Sequence, residues 1–366
     1  MAYTEAEARR IVVEAGRKLL KEGLVARTWG NVSVRVSESQ FVITPSGMAY
    51  DTMTEEQLVL VDGLDGSWQG PRKPSSERGI HADAYHLHRE VNVVIHTHQD
   101  MASVCSIAGR PLVTDHPLLG GRVPCAGYGL PSTDKLRRAV ARELAAFPGS
   151  PTILLRSHGA LCLGRDMAEA FAAAAALEAV CRQLVESVLP PAPTGISVPD
   201  LGKSLRLGNA FRLTLSGEDR IWHLHDPQLT GPAALHAAIY RTFDTTKTVT
   251  HWRGRHTVAV SRQGKTLRPL LDDLAQIAGA DIRCVAPQPS RLTWGLWGRN
   301  AVLLAGQGAL CTGSSPEEAA VTARLLEKGC LARRFADAIP GCRPLEREDA
   351  LLQRMIYVTQ YAKRKG

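Results

Sequence analysis

Apolar and polar positions change period along the chain, and these changes predict its first elements. The helical stripe of Ile11, Val12, Ala15, Leu19 and Leu20 follows Thr4-Glu-Ala-Glu7, a capping box, and predicts a helix to about Glu22. Strand-like alternation then occurs in three short segments, Val32–Val36, Phe41–Ile43 and Leu58–Val61. The chain therefore begins with an amphipathic helix that is followed by strands.

The next segments mix the two periods without a regular βαβ rhythm. They predict a helix over Ser76–His88, strands over Val91–His96 and Pro151–Leu155, and a long alanine-rich helix from Asp166, its cap, to about Val188. Such mixing favours α/β layers around a largely antiparallel sheet.

A proline-rich segment divides the chain. Residues 189–200 read LPPAPTGISVPD and have the composition of a linker. We predict a first domain over 1–190, a linker over 191–200 and a second domain over 201–366.

The second domain repeats the first. Leu235–Tyr240 resembles Ile80–Tyr85 at an offset of 155, and Leu303–Cys311 resembles Leu154–Cys162 at an offset of 149. We expect the second copy to begin near Phe211 and to lack counterparts of the segments GNVSVR and ITPSG.

Composition limits the functional classes. The 366 residues are 44% hydrophobic and 22% charged, with a net charge of +8, which fits two globular domains. No basic run is interleaved with aromatic residues, no apolar run is long enough to span a membrane, and the N-terminus has no hydrophobic signal segment. Eight scattered cysteines suit buried reduced thiols. We predict a soluble cytoplasmic protein that binds neither nucleic acid nor membranes.

Two histidines end the predicted strand VVIHTH. His96 and His98 are two residues apart, so they point to the same side of a strand and could share an ion; the alternative is two solvated histidines. His158 in LLRSHGAL adds a third imidazole. Three imidazoles leave a coordination position open, as in catalytic zinc sites or similar divalent-metal sites.

Several hydroxyl and amide groups precede these histidines. They are Thr28, Gly30 and Asn31 in RTWGNVSVR, the turn Thr44–Gly47, and Ser75 and Ser76 before a helix. Such groups could receive an anion, or they could be ordinary helix caps and turn residues.

In combination these motifs resemble the class II aldolase/adducin family over about residues 4–190. GNVSVR, ITPSG, PSSE, His-x-His and SHG follow one another in the order of that family. The resemblance implies a three-layer α/β/α domain with a largely antiparallel central sheet, here in two tandem copies. It also implies Zn²⁺, with Mn²⁺ or Fe²⁺ as alternatives, on His96, His98 and His158.

The resemblance also assigns the remaining roles in the first copy. Glu77 of PSSE becomes the proton-transferring residue, and the substrate phosphate is held by a set that we extend with the neighbouring Thr28: Thr28, Asn31, Thr44, Gly47, Ser75 and Ser76. The aldolases of the family use a loop tyrosine as general acid. No tyrosine falls at that place here, and His116 is the nearest substitute, with Tyr128 next.

The predicted chemistry is a metal-dependent lyase reaction of aldolase or decarboxylase type. A divalent ion that chelates a hydroxyl and an adjacent carbonyl stabilises the ene-diolate left when a carbon–carbon bond breaks. The substrate is expected to be a small, phosphorylated hydroxy-carbonyl compound. The alternatives are a non-haem Fe(II) oxygenase on the same fold and a non-catalytic, adducin-like binding module.

The second copy keeps the frame of the first without its ligands. His251 matches His96, whereas Arg253 and Gln307 stand in the places of His98 and His158, so we expect no metal site there. Family members resembling the first copy are fourfold tetramers. The tandem chain is therefore expected to form a homodimer that imitates a tetramer.

Overall fold

The computed structural model describes residues 3–25, 29–191 and 197–361. The chain forms two compact units, which divide between Val188 and Leu189. Each unit has its own mixed sheet, of eight strands in the first and seven in the second. Residues 192–196 of the predicted linker lie outside the described residues.

The first unit alternates strands and helices irregularly, as its sequence predicted. Its elements are α1 (Glu5–Lys21), β1 (Asn31–Arg35), β2 (Gln40–Ile43), a 3₁₀ turn (Glu55–Gln57), β3 (Val59–Asp62), β4 (Trp68–Gln69), α2 (Arg78–Leu87), β5 (Val93–Thr97), α3 (Asp100–Ser106), β6 (Leu112–Val113), a 3₁₀ turn (Pro117–Leu119), β7 (Arg122–Val123), β8 (Cys125–Ala126), α4 (Asp134–Ala146), β9 (Thr152–Leu155), β10 (Gly159–Gly164) and α5 (Met167–Val188).

The first sheet runs in the order β4-β3-β2-β1-β5-β10-β9-β8. All of its pairs are antiparallel except β8 with β9. Val94 and Leu161 on one face pack in a buried cluster with α2 and α4. Alternation turns Val93 and Ile95 to the other face, on whose side α5 contacts β5 and β10. The predicted α/β/α layers with a largely antiparallel sheet are confirmed.

Side-chain caps fix the helix starts that the sequence predicted. Thr4 and Glu7 form a reciprocal capping box at α1. Asp166 Oδ1 accepts a hydrogen bond from the Glu169 N–H at the start of α5, 2.9 Å away. These bonds satisfy amides that have no partner within a helix.

The second unit has a related order of elements. It contains β11 (Lys203–Leu207), β12 (Ala210–Leu215), β13 (Glu218–His223), α6 (Gly231–Thr242), β14 (Thr248–Trp252), α7 (Arg255–Ser261), α8 (Asp272–Ile277), β15 (Cys284–Val285), α9 (Pro289–Leu296), β16 (Ala301–Leu304), β17 (Gly308–Gly313), α10 (Pro316–Ala338), α11 (Arg347–Ile356) and a π-helical turn (Tyr357–Tyr361). The sheet order is β13-β12-β11-β14-β17-β16-β15, antiparallel except for β15 with β16.

The prediction that the second copy lacks a counterpart of GNVSVR is wrong. Strand β11 pairs with β12 and β14 as β1 pairs with β2 and β5. Arg206 donates to the Tyr240 carbonyl at 3.0 Å, as Arg35 donates to the Tyr85 carbonyl at 2.7 Å. Because KSLRL keeps only the serine and arginine of the first motif, sequence comparison did not recognise the strand.

The second copy also has a counterpart of the turn ITPSG. Thr214-Leu-Ser-Gly217 follows the same strand position as Thr44-Pro-Ser-Gly47. Here the segment forms the hairpin turn between β12 and β13, with Ser216 and Gly217 at φ 52° and 89°. The first copy has a turn at this position, which precedes PSSE. In the second copy the chain continues instead into the next strand of a hairpin.

The eight cysteines are free thiols, and six of them are buried. Within the described residues, no helix is both long and apolar enough to cross a membrane.

Candidate metal centre

Three buried imidazoles converge at the end of β5. The Nε2 atom of His96 lies 3.0 Å from Nε2 of His98 and 3.1 Å from Nε2 of His158. All three residues can present ring nitrogens that lie within 4.8 Å of one another. The two-residue spacing on β5 places His96 and His98 together, and the tight turn between β9 and β10 brings in His158.

The chemistry of these nitrogens fits a divalent cation. His96 Nδ1 donates to the Ala160 carbonyl at 3.0 Å, so the lone pair of Nε2 faces the other two rings. Burial lowers the pKa of His96 to about 4, which keeps the ring neutral at neutral pH. Nitrogens around a tetrahedral zinc ion are about 3.3 Å apart, close to the two separations here.

The turn that carries His158 is conformationally demanding. Ser157 has a left-handed backbone, with φ of 62°, and its N–H donates to Ser106 Oγ at 3.1 Å. Gly159, which follows His158, lies so close to the Thr97 carbonyl that a Cβ could not be accommodated. Close approach of β10 to β5 therefore positions the third imidazole.

Glu77 lies beside the imidazoles at the start of α2. Its carboxylate oxygens are 3.5 Å from His96 Nε2 and 3.3 Å from His158 Nε2. Asn31 Nδ2 donates to Oε2 of Glu77 at 3.0 Å. Burial by itself raises the pKa of Glu77, but the adjacent His96 and His158 and the hydrogen bond from Asn31 outweigh it, and the pKa is well below its usual range.

The polar segments that precede the histidines meet around Asn31 and Glu77. Asn31 is the direct neighbour of His96 in the β1–β5 register. The Thr44 carbonyl accepts from the Ser75 N–H at 3.1 Å, and Thr44 Oγ1 accepts from the Val32 N–H at 3.3 Å. The turn closes at Gly47, whose φ of 71° favours glycine. Thr28 lies outside the described residues.

The two serines of PSSE face different surroundings. Ser75 is buried, and its Oγ accepts from the Glu77 N–H at 3.2 Å. Ser76 is exposed, and its Oγ shares a hydrogen bond with Ser132 Oγ at 2.7 Å. A polar cavity of about 370 Å³ opens beside Ser76, with both basic and acidic groups in its wall: Arg78, Arg137, Asp62, Asp65 and Asp134.

Comparison with known proteins identifies the family. The family model for the class II aldolase and adducin N-terminal domain matches residues 10–185 and again residues 203–333. The chain belongs to the class II aldolase and adducin family. The two matched regions establish the tandem duplication that the repeat offsets predicted.

Two relatives within the class II aldolase and adducin family are aldolases. The 5-methylthioribulose-1-phosphate/5-deoxyribulose-1-phosphate aldolase of Rhodospirillum rubrum is 32% identical over 191 residues, which are 50% of this chain and 84% of the relative. An L-fuculose phosphate aldolase of Haemophilus influenzae is 32% identical over 202 residues, 54% of this chain and 89% of the relative. These relatives support an aldolase-like lyase.

Solved structures include related proteins. The L-fuculose-1-phosphate aldolase from Thermus thermophilus is 26% identical, with a TM-score of 0.42, and the match covers 50% of this chain and 95% of that one.

The residues predicted as general acid lie in the loop region before α4. His116 precedes the 3₁₀ turn at Pro117, and its Nδ1 accepts from the Leu118 N–H at 3.3 Å, so this nitrogen stabilises the turn. Tyr128 is half-buried and follows β8. The acid role of either residue stays a prediction.

Sequence reasoning missed a buried chain of polar residues behind Glu77. Asn31 Oδ1 contacts His81 Nε2, His81 Nδ1 lies 2.6 Å from Ser33 Oγ, and Ser33 Oγ lies 2.7 Å from the Tyr85 hydroxyl. A signal was present, because the matched segments IHADAY and LHAAIY keep this histidine and tyrosine in both copies. Trp29, whose ring stacks on His98 at 6.0 Å between centroids, was missed as well.

The second copy uses its remaining histidine differently. His251 Nδ1 accepts from the Leu201 N–H at 3.1 Å, and Nε2 donates to the Gln307 carbonyl at 2.7 Å. Arg253 is about half exposed and lies 3.7 Å from Asp200. Both nitrogens of the counterpart of His96 are therefore bonded to backbone.

Proposed function

We propose that the first unit is a metal-dependent lyase of aldolase type that acts on a small, phosphorylated hydroxy-carbonyl compound. The observation that carries this proposal is the convergence of three buried Nε2 atoms beside the carboxylate of Glu77, at 3.3 and 3.5 Å from two of them. Such a group of ligands with an adjacent carboxylate suits carbon–carbon bond cleavage better than a structural role.

His96, His98 and His158 would hold the cation, for which zinc is our first candidate, with manganese and iron as alternatives. When bound, the cation would supply Lewis-acid polarisation of a substrate hydroxyl and the adjacent carbonyl. The Nδ1 hydrogen bond of His96 to the Ala160 carbonyl would hold that ring in its ligating tautomer.

Glu77 would transfer the proton at the reacting carbon. Its lowered pKa keeps the carboxylate ionised, so it can accept a proton and return it. Asn31 holds one oxygen of this carboxylate, which restricts its rotation. His116 or Tyr128 would carry the proton of the reacting hydroxyl, which loses this proton as the aldehyde forms on cleavage and regains it in the condensing direction. We expect His116→Ala or Tyr128→Phe, whichever residue has that role, to lower kcat.

The phosphate would be held around the turn Thr44–Gly47 and the start of α2. Our candidate set is Thr28, Asn31, Thr44, Gly47, Ser75 and Ser76. Support comes from two backbone bonds. The Ser75 N–H of PSSE donates to the Thr44 carbonyl, and the Ser46 N–H donates to the carbonyl of Lys73, the residue before PSSE. The relatives make L-fuculose 1-phosphate and 5-deoxyribulose 1-phosphate the trial substrates.

Metal content by elemental analysis, together with aldehyde release from both trial substrates, tests the proposal. We expect one zinc per chain, lost with activity in His96→Ala/His98→Ala. His251→Ala is the matched control, because His251 occupies the same strand position in the second copy and should leave metal and activity unchanged. Iron in place of zinc would favour an oxygenase. Absence of metal after reconstitution would contradict every enzymatic proposal.

We further propose a cytoplasmic homodimer, in which two chains supply four copies of the domain. The presence of a complete sheet in each copy supports this assembly. Sedimentation equilibrium should give twice the chain mass of 39.6 kDa. A monomer at micromolar concentration would contradict the dimer without affecting the chemistry.

A further inference from the structure

The Asn31 amide lies between a carboxylate and an imidazole. Its Nδ2 donates to Glu77 Oε2 at 3.0 Å, and its Oδ1 accepts from His81 Nε2. If the amide were turned over, its oxygen would face an ionised carboxylate that has no proton to donate. The charge of Glu77 therefore determines which way the amide points, and His81 must carry its proton on Nε2.

This tautomer sets the direction of the remaining bonds. With its proton on Nε2, His81 must accept at Nδ1, so Ser33 Oγ, 2.6 Å away, donates to it. Ser33 Oγ in turn accepts from the Tyr85 hydroxyl at 2.7 Å, a shorter contact than the 3.4 Å from that hydroxyl to the Asn92 carbonyl. Every donor in the series thus points towards Glu77.

The series is shielded from water. His81 and Ser33 are completely buried, Asn31 and Tyr85 are 4% exposed, and desolvation lowers the pKa of His81 to about 3, so the ring is neutral. Hydrogen bonds in such surroundings are costly to break, because a donor or acceptor that loses its partner finds no water to replace it.

The second copy contains only part of this hydrogen-bonded series. Ser204 Oγ lies 2.6 Å from His236 Nδ1 and 2.7 Å from the Tyr240 hydroxyl, as in the first copy. There, however, His236 Nε2 donates to the Leu201 carbonyl at 2.9 Å, because Gly202 stands in the place of Asn31. The serine–histidine–tyrosine group thus occurs without any counterpart of Glu77, and what is particular to the first copy is the link through Asn31.

We propose that His81 is a positioning residue, which acts through the Asn31 amide to hold the Glu77 carboxylate beside the three imidazoles. The inference rests on the proposed function, since it gives Glu77 a reaction to serve. It assigns to His81 a role that its counterpart His236 cannot have.

The experiment compares two substitutions of His81 with the same two substitutions of His236. Glutamine places its amide nitrogen near the position of imidazole Nε2, so His81→Gln keeps a donor for Asn31. Asparagine places its amide near the position of Nδ1, so His81→Asn keeps a polar group near Ser33 and loses the donor to Asn31. His236→Gln and His236→Asn are the controls. They measure the effect of the same substitutions on stability and kcat at a histidine that is not linked to a carboxylate.

For cleavage of L-fuculose 1-phosphate or 5-deoxyribulose 1-phosphate, we expect His81→Asn to lower kcat about 10- to 100-fold with metal content unchanged. His81→Gln should recover kcat to within a few-fold of the original chain. Both His236 variants should keep full kcat, whatever their effect on Tm. Equal losses of kcat in His81→Gln and His81→Asn, or no loss in either, would overturn the proposal.

Crystal structures of the variants provide a readout that does not depend on turnover. The Asn31 amide and the Glu77 carboxylate should move in His81→Asn and stay in place in His81→Gln. An unmoved carboxylate in His81→Asn would overturn the proposal. If the original chain cleaves neither trial substrate, the aldolase function fails for those substrates, while the position of Glu77 still decides the role of His81.

A double-substitution cycle covers the case in which His81→Asn does not fold. Asn31→Leu removes the link itself, and on that background His81→Gln should change neither the position of Glu77 nor the metal content. A further displacement of Glu77 in the double variant would mean that His81 acts by another route, which would contradict the proposal.

Discussion

The two copies of the domain have the same frame and different chemistry. Both keep the buried serine–histidine–tyrosine group, at the same 2.6 and 2.7 Å contacts. Both also use a glutamate of the long helix, Glu178 or Glu327, to accept from amides at the start of the helix after the central strand. The copies differ where the first has His98, His158 and Glu77, so the fold of the domain does not depend on these three residues.

The comparison also explains how a ligand position can be lost without disturbing the sheet. His251 has the strand position of His96, but it bridges the Leu201 amide and the Gln307 carbonyl. Arg253 in the place of His98 is always protonated and has no lone pair to offer a cation. The second copy thus keeps its sheet although two of the three matched positions carry no imidazole.

Removal of the carboxylate should have the largest effect on the first copy. We expect Glu77→Gln to lower kcat about 10²- to 10⁴-fold, because the amide cannot accept and return a proton. Metal content should stay at one per chain, since the three imidazoles remain. Single-turnover kinetics and elemental analysis measure both quantities. A variant with kcat within three-fold of the original would show that Glu77 is not the proton-transferring residue.

The second copy should be most sensitive at the buried ion pair of Lys328 and Asp273. Lys328 Nζ lies 2.9 Å from Asp273 Oδ2, and both side chains are 2% exposed. Lys328→Met leaves a buried carboxylate without its counter-charge, so we expect the free energy of unfolding to fall by about 3–5 kcal/mol. Denaturant titration measures this change. Metal content of the correctly folded variant should not change, and Lys328→Met/Asp273→Leu should recover most of the loss. A loss below about 1 kcal/mol would contradict the expectation.

Local sequence signals predicted the fold class and several elements of the first unit. Periodicity and caps predicted α1 and α5 to within a residue or two, since Thr4 and Asp166 act through nearby amides. The convergence of His96 and His98 was also predictable, because two residues on one strand have a fixed relation. The segment LLRSHGAL added His158 as a third imidazole, and the resemblance in motifs added Glu77; the structure brings both to the same place.

Other features depend on contacts that no local pattern reveals. Strand β11 was missed because only Ser204 and Arg206 of its motif are kept, and their partners lie over 30 residues away. His81 was seen as part of a repeat but not as a neighbour of Asn31, which is 50 residues distant. The orientation of Asn31 depends on the charge of Glu77, so it follows only from three-dimensional contacts.

A smaller effect is expected at a pair of matched helix caps. Asp166 Oδ1 accepts from the Glu169 amide in the first copy, and Ser315 Oγ accepts from the Glu318 amide in the second. Alanine at either position should cost about 1 kcal/mol of unfolding free energy. Calorimetry of the two single variants measures the costs, and Asp166→Ala should leave the metal content unchanged. A difference above about 2 kcal/mol between the variants would mean that the two caps are not equivalent.

The smallest expected effect comes from restoring the missing ligands. Arg253→His and Gln307→His together give the second copy the same three residue types as the first. We expect metal content to stay at one per chain, because His251 remains bonded to two backbone groups, including the carbonyl of residue 307, which the substitution keeps. Release of Nε2 would leave that carbonyl without its hydrogen bond.

Elemental analysis after dialysis against excess zinc and then buffer measures the result. The same two substitutions on the His96→Ala/His98→Ala background should give no bound metal. In this background the first copy has lost two of its ligands, so bound metal would have to belong to the second copy. Two zinc ions per chain in Arg253→His/Gln307→His, or one per chain when His96→Ala/His98→Ala is added, would mean that the identity of the side chains is enough to make the site. Our expectation is that ring orientation, set by the backbone partners of His96 and His251, decides which copy can bind.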